Sequence, residues 1–90
     1  MPIDISKIKK GNLDKQILRV GILAELDAIN LYEQMADMTE DKNLKQVLLA
    51  VAKEEKEHVG EFQHLLLNRD KQQKEEMEDG AKEVKELTGE

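Results

Sequence analysis

The feature that most constrains this 90-residue chain is a pair of proline-free runs, parted by a short polar turn, in which apolar residues recur at steps of four and three. Steps of four and three keep side chains on one face of an α-helix, so each run predicts an amphipathic helix. The first extends from Leu13 to about Met38, roughly seven turns at 3.6 residues per turn, with Asn12 placed to cap it. Gly21 is its internal weak point, costing about 1 kcal/mol against alanine, and its missing side chain marks a close approach of another backbone. Thr39-Glu40-Asp41-Lys42-Asn43 forms the turn, where Thr39 or Asp41 caps a second helix from about Lys42 to Arg69. A connection this short sets the two helices antiparallel.

The flanks are weaker. Residues 1–12 form an N-terminal arm with scattered Ile3, Ile5 and Ile8, broken by Pro2 and ending at Gly11-Asn12. Residues 70–90 carry Met77, Ala81, Val84 and Leu87 at helical spacing with Gly80 interrupting them, a thin stripe for a short C-terminal amphipathic helix that folds by docking. The expected class is therefore all-α: an antiparallel hairpin over 13–69 plus a C-terminal helix. Ninety residues bury little surface alone, so a partner or staple is expected.

Composition narrows the chemistry. Cysteine is absent, which excludes disulfides and thiolate metal sites and leaves oxygen and nitrogen as donors. A net charge of −6 argues against nucleic acid or an anionic membrane surface as partner and favours cations. The start of the chain lacks the apolar core of a signal peptide and no run approaches spanning length, so a cytoplasmic location is expected.

Three polar residues interrupt the apolar stripes. In the first helix the stripe runs Leu18, Ile22, Glu25, Ile29, Tyr32, Ala36; in the second it runs Leu44, Leu48, Val51, Glu55, His58, Phe62, Leu65. Burying an ionised carboxylate costs several kcal/mol unless it is paired or metal-bound. Glu25 lies about as far before the turn as Glu55 and His58 lie after it, so the three meet at one level of the hairpin. A Glu-x-x-His pair at i, i+3 offers one oxygen and one nitrogen to the same space, a donor set suited to Fe(II), Mn(II) or Zn(II). Bundles with dinuclear iron or manganese sites take one Glu from each of two helices and a Glu-x-x-His from each of the other two. This chain supplies one of each, and a homodimer supplies all four Glu and both His within a four-helix bundle.

A structural alternative stands beside this: the same residues can form a buried polar layer that sets register and oligomer state without metal. Tyr32 is core filler, or, beside a metal site, a hydrogen-bond partner of a ligand carboxylate. Glu54, Glu57 and Glu61 lie off the stripe by about 100 to 200 degrees and belong to a solvated face, and His64 falls on the far side from Glu55. Val20, Ala24, Leu31 and Met38, with Leu49 and Leu67, form a second apolar group that one interface cannot cover, so dimers are expected to assemble further, as in a ring.

With these residues laid out, the chain resembles the ferritin-like superfamily, and within it the encapsulated ferritins. Glu25 through Tyr32 resemble the Glu-x6-Tyr signature of the first ligand helix, and Glu54-Glu55-Lys56-Glu57-His58 resembles the Glu-Glu-Lys-Glu-His segment of the second. The segments around Leu26-Asp27-Ala28-Ile29 and Glu33-Gln34-Met35-Ala36-Asp37 are similar too, and the match covers roughly residues 15–69. The resemblance implies a ferroxidase that oxidises Fe(II) to Fe(III) with dioxygen for iron storage. Glu25, Glu55 and His58 would be the ligands and catalytic residues, Tyr32 would lie beside them, and two iron ions would bind per dimer interface, with Mn or Zn as substitutes. It also implies a ring such as a decamer inside an encapsulin shell. A rubrerythrin-like peroxide reductase is the alternative activity, and the lack of Cys would oblige it to use an external electron donor. Leu31 stands where related chains carry a tryptophan and Ala24 where an acidic residue of a second metal site is expected. The tail Leu87-Thr88-Gly89-Glu90 carries no clear shell-targeting pattern, so encapsulation rests on the resemblance.

Overall fold

Thr39, Glu40 and Asp41 connect two long helices, and the local chemistry of these residues explains why the chain reverses there. In the computed structural model, which describes residue 6 and residues 12–90, α1 spans Leu13–Met38 and α2 spans Lys42–Arg69. Thr39 is extended, and its backbone N–H still donates to the Met35 carbonyl. Its hydroxyl then accepts from the Asp41 N–H at 3.1 Å. The Asp41 carboxylate in turn accepts from the N–H groups of Asn43 and Leu44 at 2.9 and 3.0 Å, satisfying two of the donors that a helix start leaves open. Of the two expected caps Asp41 is the one that acts, and Thr39 braces it from the turn. Asn12 occupies the N-cap position of α1 but makes no side-chain capping bond. The remainder of the N-terminal arm, Ile3, Ile5 and Ile8 included, lies outside the described residues.

The hairpin seam follows the α1 stripe closely: Leu18, Ile29 and Ala36 are buried, with Ile22, Glu25 and Tyr32 half-buried between them. On α2 the seam is turned from the expected stripe. Ala52 and Leu66 are its buried residues, whereas Leu44 and Leu65 are 49% and 42% exposed. The reason is α3, Lys71–Thr88, which follows after Asp70 alone, so that α2 must face both α1 and the start of α3. Leu66 sits where all three helices meet, lining with Ile22, Leu23 and Met77 a groove of about 350 Å³. Gly80 does not interrupt α3, because glycine keeps its backbone donor and acceptor and costs a helix only about 1 kcal/mol. The helix ends at Gly89, whose φ of +82° is the left-handed conformation that glycine adopts without steric penalty.

α3 leans away from the hairpin. The described residues have a radius of gyration of 16.5 Å, against about 12 Å for a compact chain of this length. Asp70 holds the corner. Its backbone N–H donates to the Leu66 carbonyl, its Oδ1 accepts from the Gln73 N–H at 3.0 Å, and its Oδ2 accepts from Arg19 Nη2 of α1 at 2.6 Å. The bond from the Gln73 N–H is the main cause holding the Asp70 carboxyl below its ordinary pKa. Burial opposes this, while the charges of Lys15 and Arg19 and the Arg19 hydrogen bond reinforce it. Among the described residues no helix is long and apolar enough to cross a membrane.

Candidate metal centre

The antiparallel hairpin brings Glu25, Glu55 and His58 together at mid-height, each offering a donor atom within 4.8 Å of the others. Helical spacing produces this meeting: Glu25 lies fourteen residues before Thr39, and Glu55 and His58 lie fourteen and seventeen after Asp41, a near-equal climb at 1.5 Å per residue. His58 Nδ1 stands 3.5 Å from Glu55 Oε2 and 3.6 Å from Glu25 Oε2.

Two uses of the triad would place its donors at different separations. A direct imidazole–carboxylate hydrogen bond would bring the atoms to about 2.7–3.2 Å, and both pairs stand wider. Two donors each about 2.1 Å from one tetrahedral cation lie about 3.4 Å apart. The two His58 separations are those of ligands sharing one ion, and the donor set of two carboxylates and one imidazole suits a borderline first-row cation.

The centre is half open. The side chains of Glu25 and Glu55 are 20% and 18% exposed, but that of His58 is 42% exposed. This follows from the turned seam of α2, since with about 100° between successive residues His58 falls to one side of the line through Ala52, Glu55 and Leu66. Of these two expected core positions, Glu55 is half-buried in the seam and His58 lies further out, at its margin. Ile17, Leu31, Val47 and Leu65 fall on the same side of the hairpin by that arithmetic, and all are exposed. Ile17 and Leu65 line one shallow hollow there with Asp14 and Arg69. α3 lies on the opposite side, as does the bond that Lys56 Nζ donates to Glu33 Oε2 across the helices at 3.0 Å.

Tyr32 is half-buried on the Glu25 face, two turns nearer the connection. Ala24 and Leu31 are exposed, and Glu54, Glu57 and Glu61 lie on solvated surface as expected. His64 pairs with Asn68 at 3.3 Å, outside the triad. Asp70 is a corner that apolar periodicity does not mark, although an aspartate just before a helical stretch with Gln73 three residues on has the form of a capping box. Its Arg19 partner, 51 residues away, left no local signal.

Comparison with known proteins bears on the fold and the family. The chain is 64% identical over 74 residues to a ferritin-like–encapsulin shell fusion protein of Pyrococcus furiosus, an alignment covering 82% of this chain and 21% of that protein. It is 43% identical over 56 residues to the encapsulin nanocompartment cargo protein EncC of Myxococcus xanthus, covering 62% of this chain and 43% of the other. It thus spans less than half the length of either relative. The crystal structure of the encapsulated ferritin domain from Pyrococcus furiosus superimposes with a TM-score of 0.86 at 53% identity, covering 100% of this chain and 97% of that one. The all-α hairpin with its third helix is accordingly the architecture of an encapsulated ferritin. The family model described as EncFtn-like matches residues 3–83, and the chain belongs to the EncFtn-like family.

Proposed function

We propose that two copies of this chain form a ferroxidase, joined across the face that carries His58, and that Glu25, Glu55 and His58 of each copy bind the ferrous substrate. The carrying observation is the triad itself: three donor atoms within 4.8 Å of one another, with His58 the most exposed of the three residues. Three protein ligands leave a first-row ion with free coordination positions. A second copy laid over the open side supplies further carboxylates and covers Ile17, Leu31, Val47 and Leu65, which a lone chain leaves in water. Face-to-face packing of two hairpins gives a four-helix bundle with the ligand pattern of dinuclear carboxylate centres.

In this reading two Fe(II) ions sit about 4 Å apart, as two-metal sites generally do. Each gives up one electron, and with two protons the pair reduces one dioxygen to hydrogen peroxide. The chain's own work is positional. The seam holds Glu25 and Glu55 partly out of water, which favours pairing with a cation, and His58 supplies the nitrogen donor. Tyr32, half-buried on the Glu25 face, would hydrogen-bond a ligand carboxylate of the assembled site. The names of the relatives, one a fusion to an encapsulin shell and one an encapsulin cargo, support a place inside an encapsulin nanocompartment and the handling of iron for storage there. The exposed Leu49, on the side of α2 away from the paired face, supports assembly of dimers into a larger ring.

The test is Fe(II)-dependent oxygen uptake by the purified protein alongside sedimentation. Glu55→Ala and His58→Ala are each expected to lower the rate by at least a hundredfold while the helix content persists. A wild-type rate in either variant removes the ferroxidase. An oligomer and melting temperature indifferent to both metal and chelator would favour the buried polar layer instead.

A further inference from the structure

We infer that Gly21 and Phe62 form a spacer that sets the separation of the two ligand helices, so that the volume at position 21 tunes metal affinity. Gly21 lies one turn before Glu25 and Phe62 one turn after His58, on the side of the triad away from the connection. A side chain at Gly21 would start 3.2 Å from Cδ2 and 3.3 Å from Cε2 of the Phe62 ring, inside the ordinary carbon–carbon contact of about 3.5–4.0 Å. The close approach expected at Gly21 is therefore made by this ring and not by another backbone. The half-buried ring fills the place that a residue with a side chain would claim. Buried Ile29 and Ala52 fix the seam on the other side of the triad.

Magnitudes make this contact consequential. One methyl at position 21 requires a displacement of a few tenths of an ångström. Ligand bonds tolerate about 0.2 Å. Glu25 is on α1, Glu55 and His58 are on α2, and α1 cannot shift from α2 at Gly21 without carrying Glu25 with it one turn later. Gly60 provides the control, being mid-helix in α2 with nothing within 4 Å of an added side chain.

This inference rests on the metal reading proposed above, and the two fail differently. The experiment is calorimetric titration with Zn(II), a redox-inert probe, of the wild type, Gly60→Ala, Gly21→Ala, Phe62→Trp and the double variant Gly21→Ala/Phe62→Leu. Gly60→Ala is expected to bind as the wild type does. Gly21→Ala and Phe62→Trp each enlarge the contact and are expected to bind about tenfold more weakly, the loss usual when a group orienting the ligands is disturbed. The double variant returns the volume and is expected to recover most of the affinity. Wild-type affinity in Gly21→Ala, or a double variant as weak as the single one, overturns the spacer and leaves the metal site standing. A wild type that binds no Zn(II) overturns the metal reading and the spacer together.

Discussion

The hairpin and α3 are both continuous helices, yet they are held by different physics. Along the hairpin each turn of α1 places a side chain against α2, and the five buried apolar residues, Leu18, Ile29, Ala36, Ala52 and Leu66, all belong to it. α3 has no buried residue; Met77 and Val84 are 42% and 50% exposed, and its attachment runs through the corner at Asp70. Burial of a seam stabilises without much regard to direction, whereas a cap with an ion pair fixes a direction with little burial. The hairpin should therefore be resistant and α3 aimed but weakly held.

Ile29→Ala tests the hairpin most severely. Removing this 8% exposed side chain is expected to cost about 2–5 kcal/mol in urea denaturation, and a cost below about 1 kcal/mol would show that the seam is not the main source of stability. Asp70→Ala should act on the other region alone. Amide exchange across Lys71–Thr88 is expected to accelerate while α1 keeps its protection, and equal acceleration in both would erase the contrast.

Acid sharpens the same point. Because folding lowers the pKa of Asp70, the folded chain binds that proton less readily than the unfolded one. Its stabilising contribution is then complete above the ordinary aspartate range and is lost as pH falls through the lower folded value. Exchange protection of α3 should thus persist down to about pH 4, the ordinary aspartate range, and fail below it; loss near pH 6 would contradict the assignment. Gly80→Ala, with open space around the site, is expected to stabilise α3 by about 1 kcal/mol. Val84→Ala should change the isolated chain by less than about 0.5 kcal/mol; an effect matching Ile29→Ala would mean that α3 is part of the core.

What sequence spacing revealed depended on how local the cause was. The α1 stripe is legible almost residue by residue, because α1 has one main neighbour and periodicity points at it. The α2 stripe is displaced toward Ala52 and Leu66 because α2 serves two neighbours, and a pattern read along one helix cannot weigh them. That displacement leaves His58 at the margin, although its meeting with Glu25 and Glu55 follows from counting residues to the turn. Gly21 is visible as an anomaly in a helix, but the identity of its neighbour, Phe62, depends on register between helices. Arg19 and Asp70 are ordinary polar residues until the fold sets them 2.6 Å apart.

The corner at Asp70 also has a mechanical consequence. α3 is a rod of 18 residues hinged at one end, and at 1.5 Å per residue it is about 27 Å long. A swing of about 10° at the hinge moves its far tip by about 5 Å, nearly one helical pitch. A single carboxylate thereby acts as the fulcrum of a lever, and a sub-ångström change beside Arg19 is magnified severalfold at Leu87.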